Sequence, residues 1–149
     1  MTLNPDVQSL DAIMSALYEC ISGPAGERDW DRLNELFARD AKLIPLLPDD
    51  HGGLRPQYLS PQLFASQTAP YFREHDFYEV ETSRDHQRFE SLIQVFSRYE
   101  ARHEPEGPAF ATGVNSVQVL DDGSRYWILN VAWPRRPEVL EAGLHRVEG

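Results

Sequence analysis

The spacing of hydrophobic residues in the first forty positions predicts two amphipathic helices in tandem. Across residues 7–21 apolar side chains recur every three or four positions and form one helical face. The glycines and proline of residues 22–26 end that helix, because both residue types interrupt helical backbone. Asp29 then has the character of an N-cap. The apolar stripe of Trp30, Leu33 and Phe37 predicts a second helix over residues 29–39.

A short strand and a third helix follow. Residues 41–47 have the pattern of a strand, which Pro45 restricts to an edge or an end because proline donates no ladder hydrogen bond. The Pro-, Asp- and Gly-rich residues 48–58 indicate a loop. Ser60 and Pro61 are typical of an N-cap and a first helical position, and we expect Pro70 to kink or interrupt that helix.

From Phe77 onward the pattern predicts four strands, over residues 78–86, 91–103, 109–120 and 125–133. Residues 121–123 carry the hairpin signal Asp-Asp-Gly. The last two strands are apolar on both faces, which is typical of strands buried on both sides. Three helices cover only one face of such a sheet. We therefore expect a homodimer that forms through the sheet.

This order of elements indicates an α+β fold and resembles the cone of the nuclear transport factor 2-like superfamily. The similarity rests on four segments: DWDRLNELFARDA at residues 29–41, VFSRYE at 95–100, GVNSVQ at 113–118, and DGSRYWI at 122–128 followed by Trp133. The two middle segments are similar to an uncharacterised bacterial branch. The resemblance implies a single domain with a strongly curved sheet, capped by about three N-terminal helices. Its core covers about residues 7–134, and residues 135–149 form a polar tail.

The resemblance leaves two classes of function open. The superfamily contains ketosteroid isomerases, dehydratases, epoxide hydrolases and polyketide cyclases, and also non-catalytic association domains. One expectation is therefore a small-molecule-binding protein, acting as an isomerase, dehydratase or hydrolase without a cofactor on a small apolar ligand. The alternative is a dimeric association module whose core is filled by its own side chains. Fold alone does not decide between them.

The comparison with ketosteroid isomerases can be made at single positions. Tyr18 falls where those enzymes place the tyrosine of their oxyanion hole. Their proton-shuttling aspartate would fall at about Pro45 and their second acid near Ser116, and neither residue carries an acid. Without the base, steroid isomerisation by that mechanism is not expected.

Candidate ligand contacts come from the residue types on the predicted inner faces. Tyr18 would donate a hydrogen bond to a ligand, or else its hydroxyl would bond a backbone carbonyl within the core. Tyr99, Ser116 and Gln118 would line the cone, or satisfy one another. Trp127 and Trp133 share a strand face, where they would wall a pocket or pack as core residues.

Titratable side chains offer one candidate base and no metal site. His86, beside Asp85 and Arg88, is the best acid–base candidate, with a solvated surface histidine as the alternative. The five histidines lack the spacing of a zinc site, and Cys20 is the only cysteine. We expect neither metal nor organic cofactor.

Charge and composition limit the classes of partner that we expect. The formal charge of -10 repels phosphate backbones, so nucleic acid is not an expected partner. The first residues lack the basic and apolar regions of a signal peptide, and no apolar run approaches the roughly 20 residues that cross a bilayer. These features predict a cytoplasmic protein that does not contact membranes.

Overall fold

A computed structural model describes residues 3–134 of the 149-residue chain. After a short 3₁₀ turn at Pro5–Val7, the helices are α1 (Leu10–Ile21), α2 (Trp30–Asn34) and α3 (Pro61–Glu74). The strands are β1 (Phe37–Pro48), β2 (Leu54–Pro56), β3 (Tyr78–Phe89), β4 (Leu92–Arg102), β5 (Ala109–Asp121) and β6 (Tyr126–Pro134). The tail, residues 135–149, lies outside the described part.

The six strands form one curved, unclosed sheet in the order β2-β1-β6-β5-β4-β3. Strand β1 pairs with β6 in parallel, and every other neighbouring pair is antiparallel. The main core lies between the three helices and the concave face of the sheet. The predicted α+β class, with its cone-like sheet, is confirmed. None of the helices within residues 3–134 is long and apolar enough to span a membrane.

The helices begin where side-chain caps satisfy free backbone donors. Ser9 accepts a hydrogen bond from the Ala12 amide at the start of α1. Ser60 does the same for the Leu63 amide, with Pro61 in the first position of α3. These contacts confirm the predicted start of α3. The helix continues through Pro70 to Glu74, so the expected interruption does not occur.

The predicted extent of the second helix was wrong. Helix α2 ends at Asn34, and Phe37 already belongs to strand β1. The carbonyl of Leu36 accepts a hydrogen bond from the Ile128 amide of β6, at 2.9 Å. Pairing with a neighbouring strand therefore outweighs the helical pattern of residues 35–39, as tertiary contacts often do.

Strand β1 is also longer and more central than expected. It lies between β2 and β6, so Pro45 is not in an edge strand. The proline is tolerated because β2 pairs with β1 only at residues 46–48. The carbonyl of Pro45 still accepts a hydrogen bond from the Gln57 amide at 3.0 Å. Strand β2 lies within the segment predicted as loop.

The four C-terminal strands match the predicted ones to within a few residues. The turn between β5 and β6 contains Gly123 at φ +94°, a left-handed conformation that favours glycine. Asp122 stabilises the turn by accepting hydrogen bonds from the Ser124 and Arg125 amides. The hairpin signal in the sequence is therefore confirmed.

Candidate functional site

A cavity of about 70 Å³ lies between the helices and the concave face of the sheet. At roughly 10–15 Å³ per water, it has room for several water molecules or a small ligand. Most of its walls are apolar or aromatic. It is lined by Leu17, Tyr18, Ile21, Leu33, Leu43, Phe64, Thr68, Phe72, Phe77, Glu79, Tyr99, Asn115, Val131, Trp133 and Pro134.

Of the described residues that form this lining, Glu79 is the only one with a carboxyl group. It lies on β3, opposite the buried Ala101 of β4, and so on the concave side of the sheet. Burial raises the pKa of Glu79 from 4.5 to about 8, although a hydrogen bond from the Asn115 amide lowers it in part. The carboxyl is therefore mostly protonated at neutral pH and changes charge near pH 8.

The hydroxyl of Tyr18 belongs to a chain of hydrogen bonds that runs away from the cavity. Asn115 donates to Tyr18 at 3.0 Å, and the Tyr18 and Ser97 hydroxyls are 2.6 Å apart. Ser97 donates its only proton to Glu81 at 2.5 Å. Because the Ser97 proton is already used, Tyr18 must be the donor to Ser97.

Glu81, at the end of this chain, forms an ion pair with Arg84. Two guanidinium nitrogens of Arg84 donate to it, at 2.7 and 3.1 Å, and a third contacts Asp11. A register irregularity between Glu81 and Ser83 places Glu81 and Arg84 opposite the inward-facing Tyr99 and Ser97. The irregularity thus allows residues three apart on a strand to pair.

Burial is the largest cause that raises the pKa of the Tyr18 hydroxyl, and the charges of Glu79 and Glu81 raise it further. Tyr18 therefore remains protonated at all ordinary pH values. Together with the hydrogen-bond directions, this makes Tyr18 a donor to Ser97 and an acceptor from Asn115.

Tyr99 occupies its place on the cavity wall because the residue opposite it is glycine. Gly113 faces Tyr99 across the β4–β5 ladder. A Cβ atom at Gly113 would lie 2.3 Å from the Tyr99 hydroxyl oxygen and 2.5 Å from the ring carbon that carries it. The ring therefore covers the glycine, and any larger residue at position 113 would displace it.

The structure brings some of the sequence candidates to the cavity and places others elsewhere. Tyr18, Tyr99 and Trp133 line it, and their role as ligand contacts stays a prediction. The expected face of β5 was wrong. Asn115 and Val117 are buried on the inner side, whereas Ser116 and Gln118 bond Gln94 and Asn130 across the strands.

Trp127 and His86 also lie away from this cavity. The indole nitrogen of Trp127 donates to Asp122, and the guanidinium of Arg125 stacks on its ring 3.5 Å from the centroid. A register irregularity in β6 separates its face from that of Trp133. His86 is exposed on β3. Within residues 3–134 no group of three His, Cys, Asp or Glu side chains is placed to hold a metal ion.

Sequence reasoning missed Glu79 and Asn115. Alternation in residues 78–81 places two carboxyl groups on one strand face, which in a single sequence has the pattern of a solvated face. The burial of Glu79 depends on α1 and α3, which cover that end of β3, and such packing has no local signal. The sequence could not determine whether Asn115 or Ser116 points inward, because that depends on the strand register.

Comparisons with known proteins support the fold and do not identify a family. No family model and no curated protein matches the chain. Among solved structures, a protein of unknown function from Nostoc punctiforme with a cystatin-like fold matches with TM-score 0.64 and 8% identity, over 86% of this chain and 89% of that one.

Two further structures have names that suggest a role for those proteins. A putative calcium/calmodulin-dependent protein kinase type II association domain from Thiobacillus denitrificans matches with TM-score 0.65 and 12% identity, over 89% and 99% of the two chains. The beta subunit of a putative aromatic-ring-hydroxylating dioxygenase from Novosphingobium aromaticivorans matches with TM-score 0.61 and 14% identity, over 85% and 88%. These likenesses are consistent with a nuclear transport factor 2-like fold.

Proposed function

We propose that the protein binds a small, mostly apolar molecule in the cavity beneath its helices and exchanges a proton with it through Glu79. The observation that carries the proposal is a carboxyl group, with its pKa raised to about 8, in a cavity whose walls are mostly apolar and aromatic. Apolar pockets with a few convergent polar groups and a perturbed titratable residue are typical of ligand sites.

The reaction classes that fit are isomerisation, dehydration and hydrolysis by general acid–base catalysis. A group is most effective in proton transfer when its pKa lies near the working pH. Glu79 meets this condition inside the cavity, whereas His86 is exposed outside it. We therefore assign proton transfer to Glu79 and keep Tyr18, Tyr99 and Trp133 as ligand contacts.

Native mass spectrometry of freshly purified protein, compared with its denatured mass, tests the binding. A bound small molecule would support the proposal and identify its chemical class for turnover assays. Glu79→Gln should then lose turnover, because an amide neither gives nor takes the proton. Glu74→Gln, on the exposed end of α3, is the matched control and should keep it. Equal turnover in both variants would refute the role of Glu79.

A second candidate function, a dimeric association module, is favoured by the convex face of the sheet. Phe96 is 49% exposed and Leu92 is 43% exposed on this face. Two ion pairs lie on this face, Arg98 with Asp85 and Arg102 with Glu100. Exposed apolar side chains beside charges that are already paired suit a second copy of an acidic chain, since little charge repulsion opposes its approach. We propose a homodimer through this face.

Sedimentation equilibrium of the intact chain tests the dimer. Phe96→Asp should shift the protein to monomer, whereas Leu63→Asp changes an equally exposed residue (44%) on α3 and should not. A wild-type monomer would refute the dimer. A dimer without any detectable cavity ligand would favour the association module over the small-molecule site.

A further inference from the structure

We propose that the ligand of this cavity is a small hydrophobic amine, bound as its ammonium ion against the Glu79 carboxylate. This inference rests on the proposed function and specifies its substrate class. It is carried by the charges, the hydrogen-bond directions and the aromatic side chains at the cavity wall.

The charges at the cavity favour a cation over an anion. Among residues 3–134 the lining contains no arginine, lysine or histidine, and Glu79 is its only acid. A second carboxylate, Glu81, lies two residues further along β3 and acts on the same Tyr18 hydroxyl. Within this part of the chain, a carboxylate ligand would meet these groups with no cation in the lining to neutralise it. The formal charge of -10 would further raise the local concentration of cations near the protein.

The hydrogen-bond directions at this wall also favour a ligand that donates. Tyr18 gives its proton to Ser97, and the amide of Asn115 donates to Tyr18 and Glu79. The hydroxyl of Thr68 donates to the Phe64 carbonyl at 2.8 Å. These groups already donate hydrogen bonds to protein acceptors, whereas the Glu79 carboxylate can accept a hydrogen bond from a ligand. An ammonium group supplies donors to this acceptor.

Aromatic rings form a large part of the wall of the same cavity. Six of the lining residues are aromatic, namely Tyr18, Phe64, Phe72, Phe77, Tyr99 and Trp133. Aromatic faces attract cations, and the attraction reaches about 2 kcal/mol where water is excluded. Arg28 lies over the ring of the lining residue Phe72, 4.8 Å from its centroid. Its guanidinium donates to carbonyls of residues 21–26 and is not part of the lining.

Binding of an ammonium ion should release a proton from Glu79. Among residues 3–134 the other titratable groups at this site are Tyr18 from α1, Tyr99 from β4 and Glu81 from β3 itself. Neither α3 nor strands β1, β5 and β6 contribute a titratable side chain to the lining. Below pH 8 the carboxyl must lose its proton to pair with the ligand, and that proton goes to the buffer.

Isothermal titration calorimetry with benzylamine, benzyl alcohol and benzoate tests the inference, because the three probes share a ring and differ in charge. At pH 7 we expect benzylamine to bind at least about tenfold more tightly than the alcohol, and benzoate not to bind. Titration in buffers of different ionisation enthalpy should show nearly one proton released per benzylamine at pH 6.5 and almost none at pH 9.

Glu79→Gln should remove both the amine preference and the proton release, while Glu74→Gln should retain both. If the alcohol binds as well as the amine, or no proton is released, the amine assignment is wrong while the small-molecule site stands. If none of the three probes binds, both proposals fail. The proton count is measured on the wild-type protein and does not depend on the folding of any variant.

Discussion

Replacing Glu79 by glutamine should change how the stability of the protein depends on pH. The pKa of this carboxyl is 4.5 without burial and about 8 in the folded chain. Between these values the folded state binds more protons than the unfolded state, so the free energy of unfolding falls as pH rises. The glutamine variant has no proton to lose there and should show no such fall.

The size of the effect follows from the pKa difference. The 3.5 pH units between 4.5 and 8 correspond, at about 1.4 kcal/mol per unit, to about 5 kcal/mol. This is an upper limit, because water that enters the cavity solvates part of the charge. Burial lowers stability in this case, since it opposes the charged form. Glu79→Gln should therefore be more stable than wild type at pH 8 and similar at pH 5.

Urea unfolding followed by circular dichroism at pH 5, 6, 7 and 8 measures the effect. The carboxyls of Asp6, Asp121 and Asp122, whose pKa values are lowered by their hydrogen bonds, change stability only at more acidic pH. The exposed Glu74→Gln should follow the wild-type profile. A difference between wild type and Glu79→Gln that changes by less than about 1 kcal/mol across this range would refute the burial argument.

Three further predictions concern the supports of the cavity. Gly113→Ala should cost about 1–3 kcal/mol in urea unfolding, because its Cβ would displace the Tyr99 ring, and the cost should shrink in a Tyr99→Ala background. Arg28→Met should cost about 2–4 kcal/mol, since four carbonyls of residues 21–26 lose their donor; a loss below about 1 kcal/mol would contradict this role. Ser97→Ala should cost about 1–3 kcal/mol by leaving Tyr18 without its acceptor, and an unchanged denaturation midpoint would show that water replaces it.

The sequence predicted the elements best where the signal was local. Ser60 with Pro61 marked the start of α3, and the Asp-Asp-Gly turn marked the β5–β6 hairpin. The prediction failed where a distant strand decided the outcome. Residues 35–39 have a helical pattern, yet the Leu36 carbonyl accepts a hydrogen bond from the backbone of β6.

The candidate site followed the same division. Tyr18 could be placed at the cavity from the periodicity of α1, and Tyr99 from the alternation in β4. Asn115 and Glu79 could not, because their orientation depends on strand register and on which part of the sheet the helices cover. The role of such side chains depends on packing between distant segments. Neighbouring residues in the sequence do not indicate it.

The ion pair of Glu81 and Arg84 also affects the direction of hydrogen bonds inside the protein. It lies at the free edge of the sheet, and Asp11, the third member, is largely exposed. The carboxylate there accepts one hydrogen bond from Ser97 and thereby fixes the orientation of two hydroxyl groups in sequence, first Ser97 and then Tyr18. With a residue at position 81 that cannot accept this bond, the Ser97 hydroxyl would be free to donate to Tyr18 instead. A carboxylate at the edge of the sheet therefore sets the direction of hydrogen bonds in the interior.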